Sequence, residues 1–304
     1  YKPIFIDINK ETLQIDENKI EKKINKNTAA LMIPNLIGNV PKWSRIFKIA
    51  KKYNLKIIED SADTVAPKIN NLNTSKFSDV TICSFYGSHV ISCGGNGGII
   101  MMNNKKLYNN AKILRSWGRS SSTLKNQENI KRRLDIQLDG IQYDRKFVFS
   151  GLGYNFEPSE ILAAFGLEQL KKFNKFKKVR YNNFLLHQKF FKSFPKIFLP
   201  IKIYPDVETQ FLAYPIILRE NLSFSRKNLQ VHLEKNNIQT RPIFTGNSLR
   251  HPAFQFLKNK KNNNKKFLNS DYIMKYGLLI GCHQGLTKQM VKFIHSKIKQ
   301  FVSR

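Results

Sequence analysis

Residues 84–89 read Ser84-Phe85-Tyr86-Gly87-Ser88-His89. They continue the apolar run Val80–Phe85, which predicts a short buried strand, and the glycine-rich segment that follows leads into a second such run, Gly97–Met102. Upstream, Leu55–Ile58 is a further apolar run and ends in Glu59-Asp60. Asp60 and Ser84 therefore stand at the carboxyl ends of predicted strands, where ligands bind in open α/β sheets.

Strand and helix patterns alternate through the first half of the chain. Ala29–Ile33 predicts a buried strand, and Pro41 stands where the first turn of a helix through Lys52 is expected. Strands separated by helices are typical of an α/β domain built on a mostly parallel sheet. The opening run Pro3–Ile8 is also strand-like.

The second half of the chain predicts a smaller α/β unit. Ser120–Arg133 is polar and predicts a long loop, and Pro158 is expected to open a helix that continues to about Lys189. We predict a large domain over 1–165, a linking helix over 166–190 and a small C-terminal α/β domain over 191–304. Within the last, the pattern predicts a strand at Phe211–Leu218 and helices at Leu229–Asn236 and Thr287–Val302.

The chain of 304 residues has a formal net charge of +31. Its lysines are scattered among Asn and Ile and accompany no nucleic-acid-binding motif, so we expect no nucleic-acid partner. The densest basic run, Lys258–Lys266, is interleaved with Asn and predicts a solvated loop. A positive field still favours the approach of a ligand that carries a diphosphate.

Three cysteines, Cys83, Cys93 and Cys282, show no paired spacing. A disulfide framework is therefore not expected, which favours a reducing, cytoplasmic location. No apolar run reaches the ~20 residues that a membrane-spanning helix needs, so we expect no membrane partner.

Several stretches resemble one family. Ser84 and His89, the Glu59-Asp60-Ser61-Ala62-Asp63 segment and the Gly-Tyr-Asn turn at 153–155 are similar to motifs of the DegT-type aminotransferases, which use pyridoxal phosphate (PLP) and act on nucleotide sugars. The resemblance covers nearly the whole chain. It implies the type I fold of PLP-dependent transferases and a homodimer.

The resemblance assigns roles around the cofactor. Ser84 is expected to contact its phosphate, Asp60 its ring nitrogen and Asp63 its ring hydroxyl. Position 89 is where the family has the lysine that binds the cofactor covalently, and an imidazole cannot form that bond. The same exchange of Lys for His marks the nucleotide-sugar 3-dehydratases of the family. Read without the resemblance, Asp60 could instead cap the next turn, Asp63 could be a surface turn residue and His89 a loop histidine.

The segment Tyr143–Phe149 resembles a stretch of the CDP-hexose 3-dehydratases, and the turn after it holds Asn155. The resemblance implies that Asn155 reaches the cofactor phosphate of the partner subunit; alternatively, it belongs only to a turn. The later segments that match the same branch suggest substrate-binding residues. These are Arg241, Asn247, Arg250 and His283. Arg241 and Arg250 could also be surface ion-pair residues.

Two departures from the family are visible. The chain begins at Tyr1, and we expect an N-terminal segment with a phosphate-binding turn to be missing. Some His-bearing relatives hold an iron–sulfur cluster on four cysteines, but Ala62 and Ser120–Thr123 occupy the corresponding positions here. Because such clusters need thiolate ligands, we expect neither a cluster nor another metal, as in the cluster-free branch of GDP-colitose synthesis.

The sequence thus predicts a 3-dehydratase that uses pyridoxal or pyridoxamine phosphate to remove the C3 hydroxyl of a nucleotide-linked 4-keto-6-deoxyhexose, with glutamate as amino donor. Such a reaction belongs to deoxysugar and O-antigen biosynthesis. Two alternatives stay open at this point: a nucleotide-sugar aminotransferase, and a homologue without catalytic activity.

Overall fold

The computed structural model describes residues 1–126, 128–258 and 267–303. The basic run at 258–266 lies outside these residues, apart from Lys258. In the described part of the chain the strands are β1 (Ala30–Pro34), β2 (Lys56–Asp60), β3 (Lys68–Ile69), β4 (Leu72–Asn73), β5 (Val80–Ser84), β6 (Gly98–Met102), β7 (Gln137–Leu138), β8 (Ile141–Gln142), β9 (Val207–Glu208), β10 (Ala213–Ile217), β11 (Thr240–Pro242) and β12 (Gly277–Gly281). The α-helices are α1 (Trp43–Lys52), α2 (Lys105–Arg115), α3 (Ile130–Leu134), α4 (Glu160–Lys171), α5 (Phe173–Lys192), α6 (Arg226–Lys235), α7 (Leu268–Tyr276) and α8 (Lys288–Val302).

A four-stranded sheet in the order β1-β2-β5-β6 forms the N-terminal half. β1, β2 and β5 are parallel, and β6 runs antiparallel to β5. The register sets Pro34 beside Asp60 and Asp60 beside Ile82. The carboxyl ends of the three parallel strands therefore meet at one edge, as the alternating pattern of the sequence predicts.

Helix α1 covers one face of this sheet. Its buried stripe includes Trp43, Ile46 and Ile49, which pack with Ile33 and Ile57 of the strands. The indole N–H of Trp43 also donates to the side-chain oxygen of Asn35, 2.9 Å away. This helix is therefore held both by apolar burial and by a hydrogen bond to the loop that follows β1.

A second core lies under the antiparallel sheet β10-β12-β11. Phe184 and Phe191 of α5 are buried against this sheet, together with residues of α6 and α8. The long helix α5 thus contributes its apolar face to the C-terminal core. The division of the chain into three parts at 165 and 190 stays a prediction.

Some local predictions were wrong. Pro3–Ile8 forms no strand, and its β-pairing in the described chain is an isolated bridge between Ile8 and Ile15. The stretch 120–133 contains a 3-10 turn at Ser120–Thr123 and the start of α3. Local hydrogen bonds explain both elements, because Ser122, Thr123 and Asn129 each bond backbone groups within three residues.

The helix predicted from Pro158 begins at Glu160 and ends at Lys171, where Lys172 turns the chain into α5. Ile161, Phe165 and Leu170 of α4 are exposed in the single chain, the first of them to 81%. No helix in the described ranges is both long and apolar enough to cross a membrane.

Two histidines join α5, α8 and β12. His187 is buried, its Nδ1 lies 3.0 Å from Nε2 of His295, and its Nε2 lies 3.1 Å from the carbonyl oxygen of Gly281. The carbonyl accepts only, so Nε2 of His187 carries the proton and Nδ1 accepts from His295. Burial lowers the pKa of His187 to about 3 and that of His295 to about 4.

This pair predicts acid-dependent stability. Both pKa values fall below 6.5 on folding, so the unfolded chain binds more protons and stability is lost as the pH drops below 6.5. We expect the free energy of unfolding to fall by up to about 1.4 kcal/mol per pH unit for each histidine between pH 6.5 and 4. Urea unfolding at several pH values measures this slope. His295→Gln keeps a donor for His187 and should lessen the slope; an unchanged slope contradicts the assignment.

Candidate active site

The carboxyl edge of the parallel strands carries the candidate site. Asp60 is the last residue of β2, and Ser84 is the last residue of β5, its neighbour in the sheet. His89 follows β5 in a tight turn, in which its backbone N–H donates to the carbonyl of Tyr86 at 3.0 Å. The structure thus brings the predicted cofactor residues of two sequence segments, 60–63 and 84–89, to one edge.

A buried carboxylate that the sequence analysis missed supports this edge. Glu59 is fully buried and accepts hydrogen bonds from neutral donors only. These include Asn35 Nδ2 at 2.7 Å, Thr81 Oγ1 at 3.0 Å, Ser61 Oγ at 3.1 Å and the hydroxyl of Thr74. The sequence feature that could have revealed this role is an acidic residue at an inward-facing position of β2. A buried carboxylate needs hydrogen-bond donors around it.

The turn at 60–63 presents two acidic side chains. Asp60 is half-buried, and its Oδ1 accepts the N–H of Ala62 at 3.0 Å. This is the capping bond considered as an alternative, and it leaves Oδ2 able to accept a further bond. Asp63 is buried, and its Oδ2 accepts the N–H of Ile37 at 2.7 Å. Asp63 is therefore not a surface turn residue.

Asp63 and His89 lie side by side. The distance from His89 Nδ1 to Asp63 Oδ1 is 3.8 Å. Burial raises the pKa of Asp63 to about 6, against the opposing hydrogen bond from Ile37, and the nearby charge of Asp60 raises it further. Burial also lowers the pKa of His89, opposed by Asp60 and assisted by the positive charge of Arg180. At neutral pH the site therefore holds an ionised Asp63 beside an uncharged imidazole.

Arg180 of α5 is the second residue that the sequence analysis missed. Its guanidinium is buried and donates through Nη1 to the carbonyls of Phe211 and Leu212, both at 3.1 Å. No carboxylate lies within ion-pair distance of it in the described chain, and its Nε has no partner there. Its charge lowers the pKa of both His89 and His283. An arginine in a basic helical segment gave no signal in the sequence.

Ser84 and Asn155 are placed differently. Ser84 is half-buried, and its Oγ accepts the N–H of Tyr86 at 3.3 Å, which leaves its hydroxyl hydrogen free to donate. Asn155 is exposed in a segment that is bridged to Ser116. Within the described chain it forms no hydrogen bond with Asp60, Ser84 or His89, so only Ser84 belongs to this edge of the same subunit.

The predicted substrate residues lie in the C-terminal half. Asn247 donates to Asp271 Oδ1 at 2.8 Å, and Arg250 forms a two-pronged ion pair with the same carboxylate at 2.5 Å. Arg250 is therefore an ion-pair residue in this structure, which is the alternative to substrate binding that the sequence left open. Arg241 is exposed and, within the described ranges, its side chain bonds the backbone of Thr240. His283 Nδ1 accepts the N–H of Gly285 at 3.1 Å.

The three cysteines are buried and free. Burial raises the pKa of Cys83 and of Cys282 to about 12, so both thiols keep their protons at neutral pH. Over the described ranges no three His, Cys, Asp or Glu side chains are grouped so that they could hold a metal ion. The expected lack of an iron–sulfur cluster stays a prediction.

Comparison with known proteins identifies the family. Residues 1–299 match the DegT/DnrJ/EryC1/StrS aminotransferase family. The chain belongs to this family. The predicted fold class is confirmed, because the mostly parallel sheet matches solved PLP-dependent members of the family and of its dehydratase branch.

Three relatives lie in the dehydratase branch of the family. The dTDP-4-dehydro-2,6-dideoxy-D-glucose 3-dehydratase of Saccharopolyspora spinosa is 30% identical, over 99% of this chain and 65% of its own length. The E coli GDP-4-keto-6-deoxy-D-mannose-3-dehydratase with bound hydrated PLP is 27% identical with a TM-score of 0.82, over 96% of this chain and 73% of that one. A GDP-4-keto-6-deoxymannose-3-dehydratase with a trapped PLP-glutamate geminal diamine is 25% identical with a TM-score of 0.83, over 96% and 73%. The chain thus spans about two thirds to three quarters of the length of these relatives.

The electrostatics of the site predict the titration of His89. Because burial and Arg180 lower its pKa while Asp60 raises it, we expect the imidazole to lose its proton below pH 6.5. Removing the Asp60 charge in Asp60→Asn should lower the midpoint further. NMR titration of imidazole-labelled protein measures both, and His89→Gln assigns the signal. A midpoint above 6.5 contradicts the described burial.

Proposed function

We propose that this protein is a PLP-family nucleotide-sugar 3-dehydratase, which removes the C3 hydroxyl of a nucleotide-linked 4-keto-6-deoxyhexose. The observation that carries the proposal is His89. It stands five residues after Ser84, where aminotransferases of the family have lysine, and its half-buried imidazole is uncharged at neutral pH. The relatives named as 3-dehydratases support the same reading.

The residues at the sheet edge fit pyridoxal or pyridoxamine phosphate. Asp60 offers a free carboxylate oxygen at a strand end, which suits a protonated ring nitrogen, and Ser84 offers a hydroxyl donor for a phosphate. We assign these two residues and Asp63 to the cofactor. When bound, pyridoxamine phosphate supplies an amine for the keto group and a ring that accepts electrons.

The protein's own side chains then have separate tasks. Asp60 would hold the proton on the ring nitrogen. An unprotonated ring nitrogen of His89 would take a proton from the cofactor's C4′ carbon, and the protonated imidazole could return it to the C3 hydroxyl of the sugar, which would leave as water. A positioned base of this kind contributes about 10²–10⁴-fold to a rate. An imidazole does this at neutral pH without forming a covalent bond to the cofactor.

The substrate side of the proposal involves the C-terminal half. Arg241 and His283 have donor groups that are available to bind phosphate or sugar oxygens. Asn247 and Arg250 would first have to break their hydrogen bonds to the Asp271 carboxylate. The net charge of +31 favours the approach of a nucleoside diphosphate sugar. Glutamate is proposed as the amino donor, in keeping with the relative trapped with PLP and glutamate.

We further propose that the working form is a cytoplasmic homodimer. Asn155 is exposed, and large apolar side chains are exposed around it, among them Leu152 at 96%, Phe156 at 67% and Ile161 at 81%. Apolar surface of this extent favours association. A second subunit that covers it gives Asn155 a route to the phosphate pocket of its partner.

The aminotransferase alternative rests on the family itself. It needs an amine at position 89 to release the product and return the cofactor, and an imidazole provides none. A product assay separates the two functions. The assay uses a 4-keto-6-deoxy sugar nucleotide, glutamate and the full-length protein, with the products followed by mass.

His89→Lys should shift the chemistry towards aminotransfer. Lysine supplies the missing amine, and its longer chain places the proton acceptor differently, which can reduce a rate about 10²-fold for a shift of ~1 Å. Wild type is expected to give the product without the C3 oxygen, and the variant to give mainly the 4-amino sugar. If wild type gives only the 4-amino sugar, the dehydratase proposal fails.

A chemical control accompanies this assay. Borohydride reduction followed by mass spectrometry should leave no cofactor on the wild-type protein and should leave it on His89→Lys. A stable adduct on a lysine of the wild type shows that another residue has taken the role that position 89 has in the aminotransferases.

A shared site predicts complementation between subunits. His89→Ala and Asn155→Ala proteins are each expected to lose most of their activity, and mixing them should restore it, because each heterodimer contains one site with neither change. Native mass spectrometry confirms that subunits have exchanged. If heterodimers form and activity does not rise above that of the parents, Asn155 does not act across the interface.

A further inference from the structure

The His89 imidazole is half-buried and incompletely bonded. Its side chain is 16% exposed, and Nδ1 has no hydrogen-bond partner in the described chain. Asp63 Oδ1 lies 3.8 Å from this nitrogen, slightly beyond a hydrogen bond. A small rotation of either side chain closes this gap. Since a buried nitrogen without a partner is costly, such a closure is favoured.

The backbone holds Asp63 in place. Its Oδ2 accepts the N–H of Ile37 at 2.7 Å, and Ile37 has a φ of 61°. This left-handed conformation is an outlier for a β-branched residue, and strained backbone of this kind concentrates at functional sites. The strained residue, Ile37, is thus the one whose N–H holds Asp63 Oδ2. The other oxygen of Asp63, Oδ1, faces the His89 imidazole.

The other side chains near His89 cannot take this role; the backbone of Ala62 also interacts with the imidazole and raises its pKa. Tyr86 meets the imidazole edge-on, with 6.2 Å between ring centroids. Arg180 has no acceptor atom, and no carboxylate oxygen of Asp60 lies within 4.0 Å of a ring nitrogen of His89 in the described chain. Asp63 is the carboxylate of the described chain that lies within 4.0 Å of the imidazole.

We propose that Asp63 is a positioning residue for His89, which accepts a hydrogen bond from Nδ1–H and thereby leaves Nε2 unprotonated as the base. A carboxylate only accepts hydrogen bonds, so it selects the tautomer with the proton on Nδ1. This inference deepens the proposed function, since it rests on His89 as the base. It gives Asp63 a task within the protein besides the contact with the cofactor that the family resemblance implies.

Asp63→Asn tests the proposal sharply. Its amide oxygen must accept the Ile37 N–H, so its amide nitrogen faces His89 and donates to Nδ1. The imidazole proton is then forced onto Nε2, and the base is lost. We expect the ring-nitrogen NMR signals of His89 at pH 8 to show Nδ1–H in wild type and Nε2–H in Asp63→Asn, in protein without cofactor. In the same variant the dehydration rate should fall about 10²–10⁴-fold.

Asp79→Asn is the matched control. Asp79 Oδ2 also accepts a backbone N–H, from Ile57 at 2.9 Å, but it lies before β5, away from the site edge. Its exchange should leave the His89 tautomer and the rate unchanged. Asp63→Ala, which offers neither donor nor acceptor, should give a mixture of tautomers and serves if Asp63→Asn does not fold.

Two results separate this inference from the proposed function. If His89 carries its proton on Nε2 in wild type, or keeps one tautomer in all Asp63 variants, Asp63 does not position it and the inference is overturned. If the tautomer inverts in Asp63→Asn but the dehydration rate is unchanged, the positioning stands and the role of His89 as base fails.

Discussion

The hydrogen bonds to the buried Glu59 carboxylate are the constraint on which the site edge depends. Donors from the loop after β1, from the turn after β2 and from β5 converge on this one side chain. A buried carboxylate without these bonds would be strongly unfavourable, so the ends of β1 and β2 are held against β5 in one arrangement. The arrangement sets where Asp60, Asp63 and His89 stand relative to one another.

Charged side chains of both signs lie near the His89 imidazole and act on its pKa without a hydrogen bond to the ring. Asp60 and Asp63 lie on one side, and Arg180, buried without a carboxylate partner, acts from α5. Burial outweighs the charge of Asp60 and the interaction with the Ala62 backbone, and lowers the pKa of the imidazole, so the base is uncharged at neutral pH. The same burial raises the pKa of Asp63 to about 6, so this carboxyl is ionised only above that pH. One physical cause thus disfavours the charged form of both neighbours.

The two halves of the chain meet next to this site through a side-chain hydrogen bond. Gln210 Nε2 donates to Thr64 Oγ1 at 2.6 Å, next to Asp63, and Arg180 donates to the carbonyls of the two residues that follow Gln210. Helix α5 in turn packs its phenylalanines into the C-terminal core. The position of the buried positive charge is therefore fixed by the packing of the second half of the chain.

The sequence by itself determined the four strands of the N-terminal sheet, the apolar stripe of α1 and the spacing from Ser84 to His89, because these depend on local periodicity and on motifs. It also showed the family, through residues that each lie in one short segment. Only the tertiary structure decided that Asp63 is buried against Ile37, that Arg250 is tied to Asp271 and that Arg180 carries its charge towards His89. These contacts join residues that are far apart in the chain, and burial and charge effects depend on such neighbours and not on residue type alone.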